Sequence, residues 1–154
     1  MKTKAMFDVG PYRLAEDHYY DTDNHLWVAV DESRGTARCG FDPLGAETSG
    51  DIVAVSFESV GSQIARGGAF GNMEAAKFVG PLIAPVSCTL TACNDAVISN
   101  PSLLNQDPIE NWLVELDLTD MEAELGLLLH GKNQVADWME SEIERFRTKG
   151  MIAE

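Results

Sequence analysis

Basic residues are scarce in this 154-residue chain: 11 lysines and arginines stand against 25 aspartates and glutamates, a formal net charge of −14. A field of this sign repels phosphate backbones, so we do not expect the protein to bind nucleic acid. Two interpretations of the acidity remain open at this point. The surface could dock against basic clefts on partner proteins, or it could be adapted to a salt-rich habitat.

Long apolar runs are also missing. No window approaches the roughly 18 uninterrupted apolar residues of a membrane span, and the N-terminal segment lacks the apolar core of a secretory signal. We therefore expect a cytoplasmic protein that does not enter a membrane. The hydrophobic content of 45% and the length predict one domain over residues 1–154 with a proper core.

Cysteine and histidine are few and lack the spacings that indicate a site. The three cysteines, Cys39, Cys88 and Cys93, form no C-x-x-C pair. Cys88 and Cys93 would point to opposite faces of one strand and could not form a disulfide, so we interpret the cysteines as reduced and structural. The three histidines, His18, His25 and His130, show no ligand spacing, and we expect no metal site.

No self-sufficient catalytic motif is present. The chain lacks G-x-S-x-G, G-x-G-x-x-G and a P-loop. His25 could act as a base, but it stands at a strand entry, where a packing or hydrogen-bonding role fits equally well. A redox enzyme using Cys88 or Cys93 needs an electropositive setting, and no basic residue lies within residues 87–101. We therefore expect a non-catalytic protein.

Alternating apolar residues and glycine-rich turns predict a core of β-strands. Residues 26–31 and 36–41 flank a polar segment of hairpin size that contains Gly35. Further strands are predicted at 51–57, with Val53, Val55 and Phe57 on one face, within the β-rich run 88–98, and at 111–118 as the last strand. Residues 1–20 are predicted to be an irregular leader with one short turn of helix.

Helical patterns follow the predicted strands. Thr119 and Glu122 have the spacing of a capping box, which predicts a first helix that closes at His130-Gly131. A second helix, ending at Gly150, is predicted from apolar residues three and four apart: Val135, Trp138 or Met139, Ile143 and Phe146. The expected fold is therefore an all-β core with a helical C-terminal appendage.

Lys77 is the only lysine between Lys4 and Lys132. We predict that it lies at the tip of a β-hairpin, between Ala76 and Phe78. A lone surface lysine is usually only a solvated charge. It can also be the attachment point for a cofactor arm held by an amide bond.

Four stretches in order resemble the H protein of the glycine cleavage system and its lipoate-binding relatives. They are YYDTDNHLWVAV (19–30), SGDIVAVSFESVG (49–61), EAAKFVGPLIAPVS (74–87) and NPSLLNQDPIENWLVEL (100–116). The resemblance covers about residues 19–118, which would be the lipoyl-carrier β core, with 119–150 as the helical appendage. It implies a flattened β-barrel or sandwich, a hybrid of the lipoyl-domain type.

The resemblance also implies a function. Lys77 would carry a covalent lipoyl group, and Glu74, three residues earlier, would help the lipoate-attaching enzyme recognise the hairpin. The arm would move a substrate-derived group or electrons between partner active sites, with dihydrolipoamide dehydrogenase among the partners. A biotin carrier fits less well, because its lysine is flanked by methionines and Met73 is too far away.

Some positions depart from the family pattern, among them Ser59, Ala75-Ala76, Gly80-Pro81 and Cys88. In these the chain is more similar to the lipoate-binding proteins of a heterodisulfide-reductase-like sulfur-oxidation system. The main prediction is therefore a carrier of sulfur-bound intermediates and electrons for that complex. The alternatives are an H protein that carries the aminomethyl group in glycine cleavage, and an unmodified acidic interaction module.

Overall fold

The computed structural model describes residues 5–152, and short antiparallel strands dominate it. The strands are β1 Met6–Val9, β2 Tyr12–Ala15, β3 Tyr19–Asp21, β4 Leu26–Asp31, β5 Thr36–Phe41, β6 Ile52–Phe57, β7 Gln63–Ile64, β8 Ala69–Ala75, β9 Val79–Ile83, β10 Cys88–Cys93, β11 Val114–Leu118 and β12 Leu129–His130. The helices are α1 Pro43–Ser49, α2 Asp95–Ser99, α3 Leu103–Gln106, α4 Met121–Glu124 and α5 Lys132–Thr148, with a 3-10 turn at Leu125–Leu127.

The strands form three sheets. The largest has the order β12-β3-β4-β5-β11-β10-β7, the second has the order β6-β8-β9, and β1 pairs with β2 alone. The two larger sheets pack as a flattened sandwich, which confirms the predicted all-β core with a C-terminal helix. Within residues 5–152 the three sheets do not join into one closed sheet.

The sandwich core is the cluster of buried side chains between the two larger sheets. Its members include Leu26, Val28, Cys39, Phe41, Ile52, Val55, Phe70, Met73, Leu82, Cys88, Leu90, Leu104 and Leu116. All three cysteines are free, and Cys39 and Cys88 are buried here, as predicted. Burial raises the pKa of the Cys88 thiol to about 11, so this thiol is protonated and unreactive at neutral pH.

A second cluster, the outer core, joins the two ends of the chain. The apolar face of α5 packs on the N-terminal hairpin and on Tyr20 and Trp27 of the large sheet. The buried residues of α5 are Val135, Met139, Ile143 and Phe146, which confirms the second predicted helix. No helix among residues 5–152 has the length and apolar character that crossing a bilayer requires.

The irregular leader predicted for residues 1–20 is wrong where the structure describes it, and residues 1–4 lie outside the described residues. Residues 6–15 form a two-stranded antiparallel hairpin in which Val9 pairs with Tyr12 around a turn at Gly10, whose φ is +57°. Phe7 and Leu14 are buried in the outer core. Strands of four residues are too short to show a clear alternation, and here they are covered by α5 in the outer core.

The first predicted C-terminal helix is also wrong. Asp120, not Thr119, precedes α4, and no side chain caps this single helical turn. The chain then forms β12, in which Leu129 pairs with Tyr20 of β3, so His130 belongs to a strand and β11 is not the last one. Pairing with an available sheet edge overrides the local capping signal.

Two further differences concern strand ends and faces. The strand predicted in 88–98 ends at Cys93, because the side chain of Asn94 accepts from the N–H of Ala96 at 3.2 Å and caps α2. In β6 the pairing register shifts between Ile52 and Ala54. This bulge turns Val53 to solvent, where 58% of it is exposed, instead of onto the face of Val55.

Candidate functional site

Lys77 lies at the tip of the hairpin formed by β8 and β9. Glu74 pairs with Val79, and the N–H of Ala75 donates to the carbonyl of Phe78 at 2.8 Å, which leaves Ala76 and Lys77 as the turn. The lysine side chain is exposed, and it forms no salt bridge with any residue in the range 5–152. The predicted hairpin position is confirmed, and the amine is free to react.

The surface around the tip is mixed acidic and apolar. Glu74 is exposed on β8, between Ala54 and Val79 on the neighbouring strands. Val79 is 74% exposed, and Val53 and Phe78 are also among the exposed apolar residues. Apolar side chains gathered around one carboxylate form a surface suited to contact with another protein.

The hairpin tip is held from behind by the segment 49–52, which follows α1. The N–H of Ala76 donates to the carbonyl of Asp51, and the N–H of Lys77 donates to the carbonyl of Ser49, both at 2.9 Å. Gly50 has φ +75°, and a Cβ there would lie 3.2 Å from the Cβ of Ala76 and 3.2 Å from the Cγ of Lys77. Glycine therefore meets both the backbone and the space requirement at this contact.

Asn105 on α3 contacts the other side of the same segment. Its Nδ2 donates to the carbonyl of Gly50 at 3.0 Å, and its Oδ1 accepts from the N–H of Ile52 at 2.9 Å. Sequence reasoning missed this residue, because its surroundings are rich in turn residues and it lies more than fifty positions from its partners. The only available signal was its place within the fourth resembling stretch.

A cavity of about 320 Å³ adjoins the hairpin. Its lining includes Phe78, which follows the turn, Ser49 of the supporting segment and Phe146 of α5. Further lining residues include His25, Phe41, Met73, Pro81, Leu82 and Ile83. The lining is mainly apolar, so the cavity suits an uncharged, aliphatic group.

His25 has a hydrogen-bonding role and not that of a base. Its Nδ1 lies 2.8 Å from Oδ2 of Asp42, and its Nε2 lies 2.8 Å from Oε1 of Glu142. Burial alone would lower the pKa of His25, but the two carboxylates outweigh it and the pKa is raised. Hydrogen bonding by Arg145 and His25 lowers the pKa of Glu142 to about 2, so both ring nitrogens of His25 face acceptors.

The remaining polar candidates form no reactive group. The hydroxyl and N–H of Ser87 both donate to the carboxylate of Glu124, at 2.7 and 2.6 Å. Burial raises the pKa of the Cys93 thiol, and the carboxylate of Asp95 adds to the effect. In residues 5–152 no group of three or more histidine, cysteine or acidic side chains is arranged to hold a metal ion.

Comparison with known proteins identifies relatives over most of the chain. The family model described as "Glycine cleavage H-protein" matches residues 18–142. A probable glycine cleavage system H protein of Thermococcus kodakarensis is 36% identical over 124 residues, 80% of this chain and 91% of the relative. A glycine cleavage system H protein of Mycobacterium sp. strain KMS is 42% identical over 113 residues, 71% of this chain and 86% of the relative.

A solved structure agrees with these relatives. The crystal structure of a glycine cleavage system H protein from Mycobacterium marinum superposes with a TM-score of 0.64 and 29% sequence identity. The match covers 69% of this chain and 87% of that one. Its fold supports the flattened sandwich described above.

These matches favour the alternative prediction over the main one. They give no support to a sulfur-oxidation carrier, and they support an H-protein-like lipoyl carrier. Members of the matched family are non-catalytic carriers with a lipoyl group covalently attached to a lysine, so lipoate is the cofactor. With a family model matching residues 18–142, the chain belongs to the glycine cleavage H-protein family.

Proposed function

We propose that this protein is the lipoyl carrier of a glycine cleavage system and that Lys77 is its attachment site. The observation that carries the assignment is the exposed lysine at a two-residue hairpin tip whose backbone is anchored on both sides. The other lysines that the structure describes, Lys132 and Lys149, lie at the two ends of α5. Among the lysines of residues 5–152, only Lys77 combines exposure with a position in a narrow turn whose backbone is hydrogen-bonded to another segment.

The side chain of Lys77 fits an amide bond to a carboxylic acid. Amide formation removes the ammonium charge, and among residues 5–152 no salt bridge is lost with it. The bound lipoyl group would supply a disulfide that opens on reduction and carries the aminomethyl group derived from glycine between the partner enzymes. The protein itself would present and orient the lipoyl group and offer it a protected position.

The cavity beside the hairpin offers that shelter. Phe78 and Ser49 place one wall of the cavity directly at the tip, so a group attached to Lys77 can fold back against the protein. Its mainly apolar lining would suit the aliphatic part of the lipoyl group between two encounters with partners. The acidic surface, with a net charge of −14, suits docking against basic clefts on those partners.

Glu74 and its apolar neighbours have a separate role in our proposal. The lipoate-attaching enzyme must recognise the folded hairpin before any arm exists. Glu74 is exposed three residues before Lys77, and within residues 5–152 its side chain forms no hydrogen bond or salt bridge, so its carboxylate is available to a basic side chain of that enzyme. Val53 and Val79 extend the contact with apolar area.

The assignment of Lys77 is tested by intact-protein mass spectrometry after coexpression with a lipoate-attaching enzyme. We expect a lipoyl-amide increment in the wild type and in K132R and K149R, and no increment in K77R. An increment that persists in K77R, or that is absent from the wild type, would contradict the proposal. Loaded wild type and K77R are then compared for glycine-dependent turnover with the other glycine cleavage enzymes, which only the wild type should support.

The role of Glu74 is tested by the rate of modification under limiting attaching enzyme. Glu74→Gln keeps the size of the side chain and removes its charge, so lipoylation should slow several-fold without being abolished. Glu58→Gln is the matched control, because Glu58 is also exposed and lies just after β6, away from the tip. Equal rates for the two variants would show that Glu74 has no special part in recognition.

A further inference from the structure

We propose that Asn105 is a positioning residue for the lysine: its carboxamide clamps the segment 49–52, and that segment fixes the hairpin tip that presents Lys77. The inference concerns the same site and rests on the proposed function only for its modification readout. It states that one side chain on α3 keeps the β8–β9 turn rigid, although the two are distant in the sequence.

The clamp acts where the chain leaves α1 and enters β6: Ser49 ends the helix and Ile52 begins the strand. The backbone groups of this short connection point to two sides. The carbonyls of Ser49 and Asp51 face the hairpin and accept the N–H groups of Lys77 and Ala76. The carbonyl of Gly50 and the N–H of Ile52 face the opposite side, where Asn105 bonds to both.

Asn105 thus takes the place of a neighbouring β-strand. A strand would offer one N–H and one carbonyl to the segment, and a single carboxamide offers the same pair. Aspartate has no donor for the carbonyl of Gly50, and alanine has neither group. The two bonds hold a segment that glycine makes unusually adaptable, since Gly50 has φ +75° and no side chain to restrict it.

The anchor behind the clamp is itself firm. The backbone N–H of Asn105 donates to the carbonyl of Ser102 at 3.1 Å, and the adjacent Leu104 is fully buried in the sandwich core. The backbone of Asn105 is therefore held in place, and the segment 49–52 cannot shift without breaking its two hydrogen bonds to the carboxamide. Through them, the position of the lysine depends on packing in the sandwich core.

Removing the carboxamide should loosen the tip without unfolding the protein. The segment would then leave its position more often, and the N–H groups of Ala76 and Lys77 would lose their acceptors each time. The attaching enzyme would meet an ordered tip less often. Two neutral hydrogen bonds are sufficient for about a tenfold change in such an equilibrium, so we expect about tenfold faster amide exchange at the tip. The kcat/KM of lipoylation should fall in proportion to the ordered fraction that is lost.

The experiment compares Asn105→Ala with Asn111→Ala. Asn111 is a matched control, because its Nδ2 donates to the carbonyls of Leu103 and Asp107 at 3.0 and 2.8 Å, near α3 but away from the segment. Amide hydrogen exchange is measured at Ala76 and Lys77, together with the melting temperature and the kcat/KM of lipoylation. We expect both variants to lose thermal stability, and only N105A to show about tenfold faster exchange at these two amides and slower modification.

The proposal is overturned if amide exchange at Ala76 and Lys77 is equally slow in N105A and N111A. It is also overturned if the lipoylation rate of N105A falls only in proportion to the fraction of protein that is folded. Asn105→Asp serves if N105A does not fold: it keeps the acceptor for Ile52 and loses the donor to Gly50, so exchange at the tip should again accelerate. The exchange readout needs no lipoyl group. Failure of wild-type modification would therefore count against the proposed function and leave the clamp to be judged by exchange.

Discussion

The two hairpins β4–β5 and β8–β9 are closed at their tips in different ways. In β4–β5 the turn closes on itself: the N–H groups of Arg34 and Gly35 both donate to the carbonyl of Asp31, at 3.2 and 2.9 Å. The hydroxyl of Ser33 donates to the carboxylate of the same aspartate at 2.7 Å. In β8–β9 the two turn residues instead donate their N–H groups to Ser49 and Asp51, far away in sequence.

The β4–β5 turn thus only connects two strands, whereas the β8–β9 turn is held in place by another segment of the chain. The β4–β5 turn finds the acceptor for its own N–H groups within itself, and its link to the sheet is the carbonyl of Gly35, which accepts from the N–H of Leu118 at 2.8 Å. The β8–β9 turn carries the lysine, and it takes its rigidity from α1, the segment 49–52 and α3. A lysine that must be recognised by an enzyme and then carry a cofactor needs a defined position. Changes in the supporting segment should therefore reach Lys77, while changes elsewhere should not.

The largest expected loss of stability comes from a substitution in the outer core, and it should not change either hairpin tip. Met139 is fully buried on α5, and Met139→Ala should lower the free energy of unfolding by about 2–5 kcal/mol through lost contacts and a cavity. Chemical denaturation measures this loss. The rate of lipoylation per folded molecule should be unchanged. A selective loss of lipoylation in the folded fraction would show that α5 also supports the tip.

The next effect compares two glycines in left-handed conformations. Gly50→Ala should cost about 2–3 kcal/mol, because alanine is strained at φ +75° and its Cβ meets Ala76 and Lys77 at 3.2 Å. Gly35→Ala should cost about 1–2 kcal/mol, because φ there is +67° but nothing lies within 4 Å of the new Cβ. Lipoylation measured by mass should slow strongly for G50A and not for G35A. Equal slowing would mean that strain, and not contact with the tip, is responsible.

A smaller effect is expected from pH. The carboxylates of Asp42 and Glu142, the latter also bonded to Arg145, raise the pKa of His25 despite its burial. A folded-state pKa above the unfolded value of about 6.5 gives stability that is complete below that value and is lost as pH rises through the folded pKa. The link that His25 makes between the start of α1 and α5 should weaken over that range.

His25→Asn tests this dependence, because asparagine tolerates the φ of +56° found at His25 and does not titrate. Free energies of unfolding are compared from pH 6 to pH 9, an interval of about three units that starts below the ordinary histidine pKa. The wild type should lose stability across the interval. The free energy of unfolding of the variant should be lower and should change less with pH. Parallel profiles would place the titrating group elsewhere.

Local patterns in the sequence were sufficient for the self-contained parts of the fold. The β4–β5 hairpin was predicted because each strand spans six residues around a polar turn with glycine. The helix α5 was predicted because four apolar residues repeat at three and four positions. The role of Lys77 as an attachment site came from the resemblance to a family, since a single lysine has no pattern of its own.

The parts that depend on distant partners were not predictable in this way. The strand β12 exists because β3 offers an unpaired edge, and the short N-terminal strands exist because α5 covers them. Val53 was placed on the wrong face because one bulge reverses the alternation. The clamp by Asn105 joins residues that only the folded chain brings together, and an asparagine among turn residues predicts no more than a loop.

The smallest expected effect tests the self-contained turn. Ser33→Ala removes the hydroxyl that bonds to Asp31 on an exposed loop, and surface changes of this kind shift the free energy of unfolding by about 0.5 kcal/mol or less. The two backbone bonds to the carbonyl of Asp31 remain, so the turn should keep its form. Thermal unfolding and amide exchange at Arg34 and Gly35 check the local result, and exchange at Ala76 and Lys77 should not change. Faster exchange at the lysine tip in this variant would mean that the two hairpins are coupled through the sandwich, and the clamp could then no longer be regarded as the separate support of Lys77.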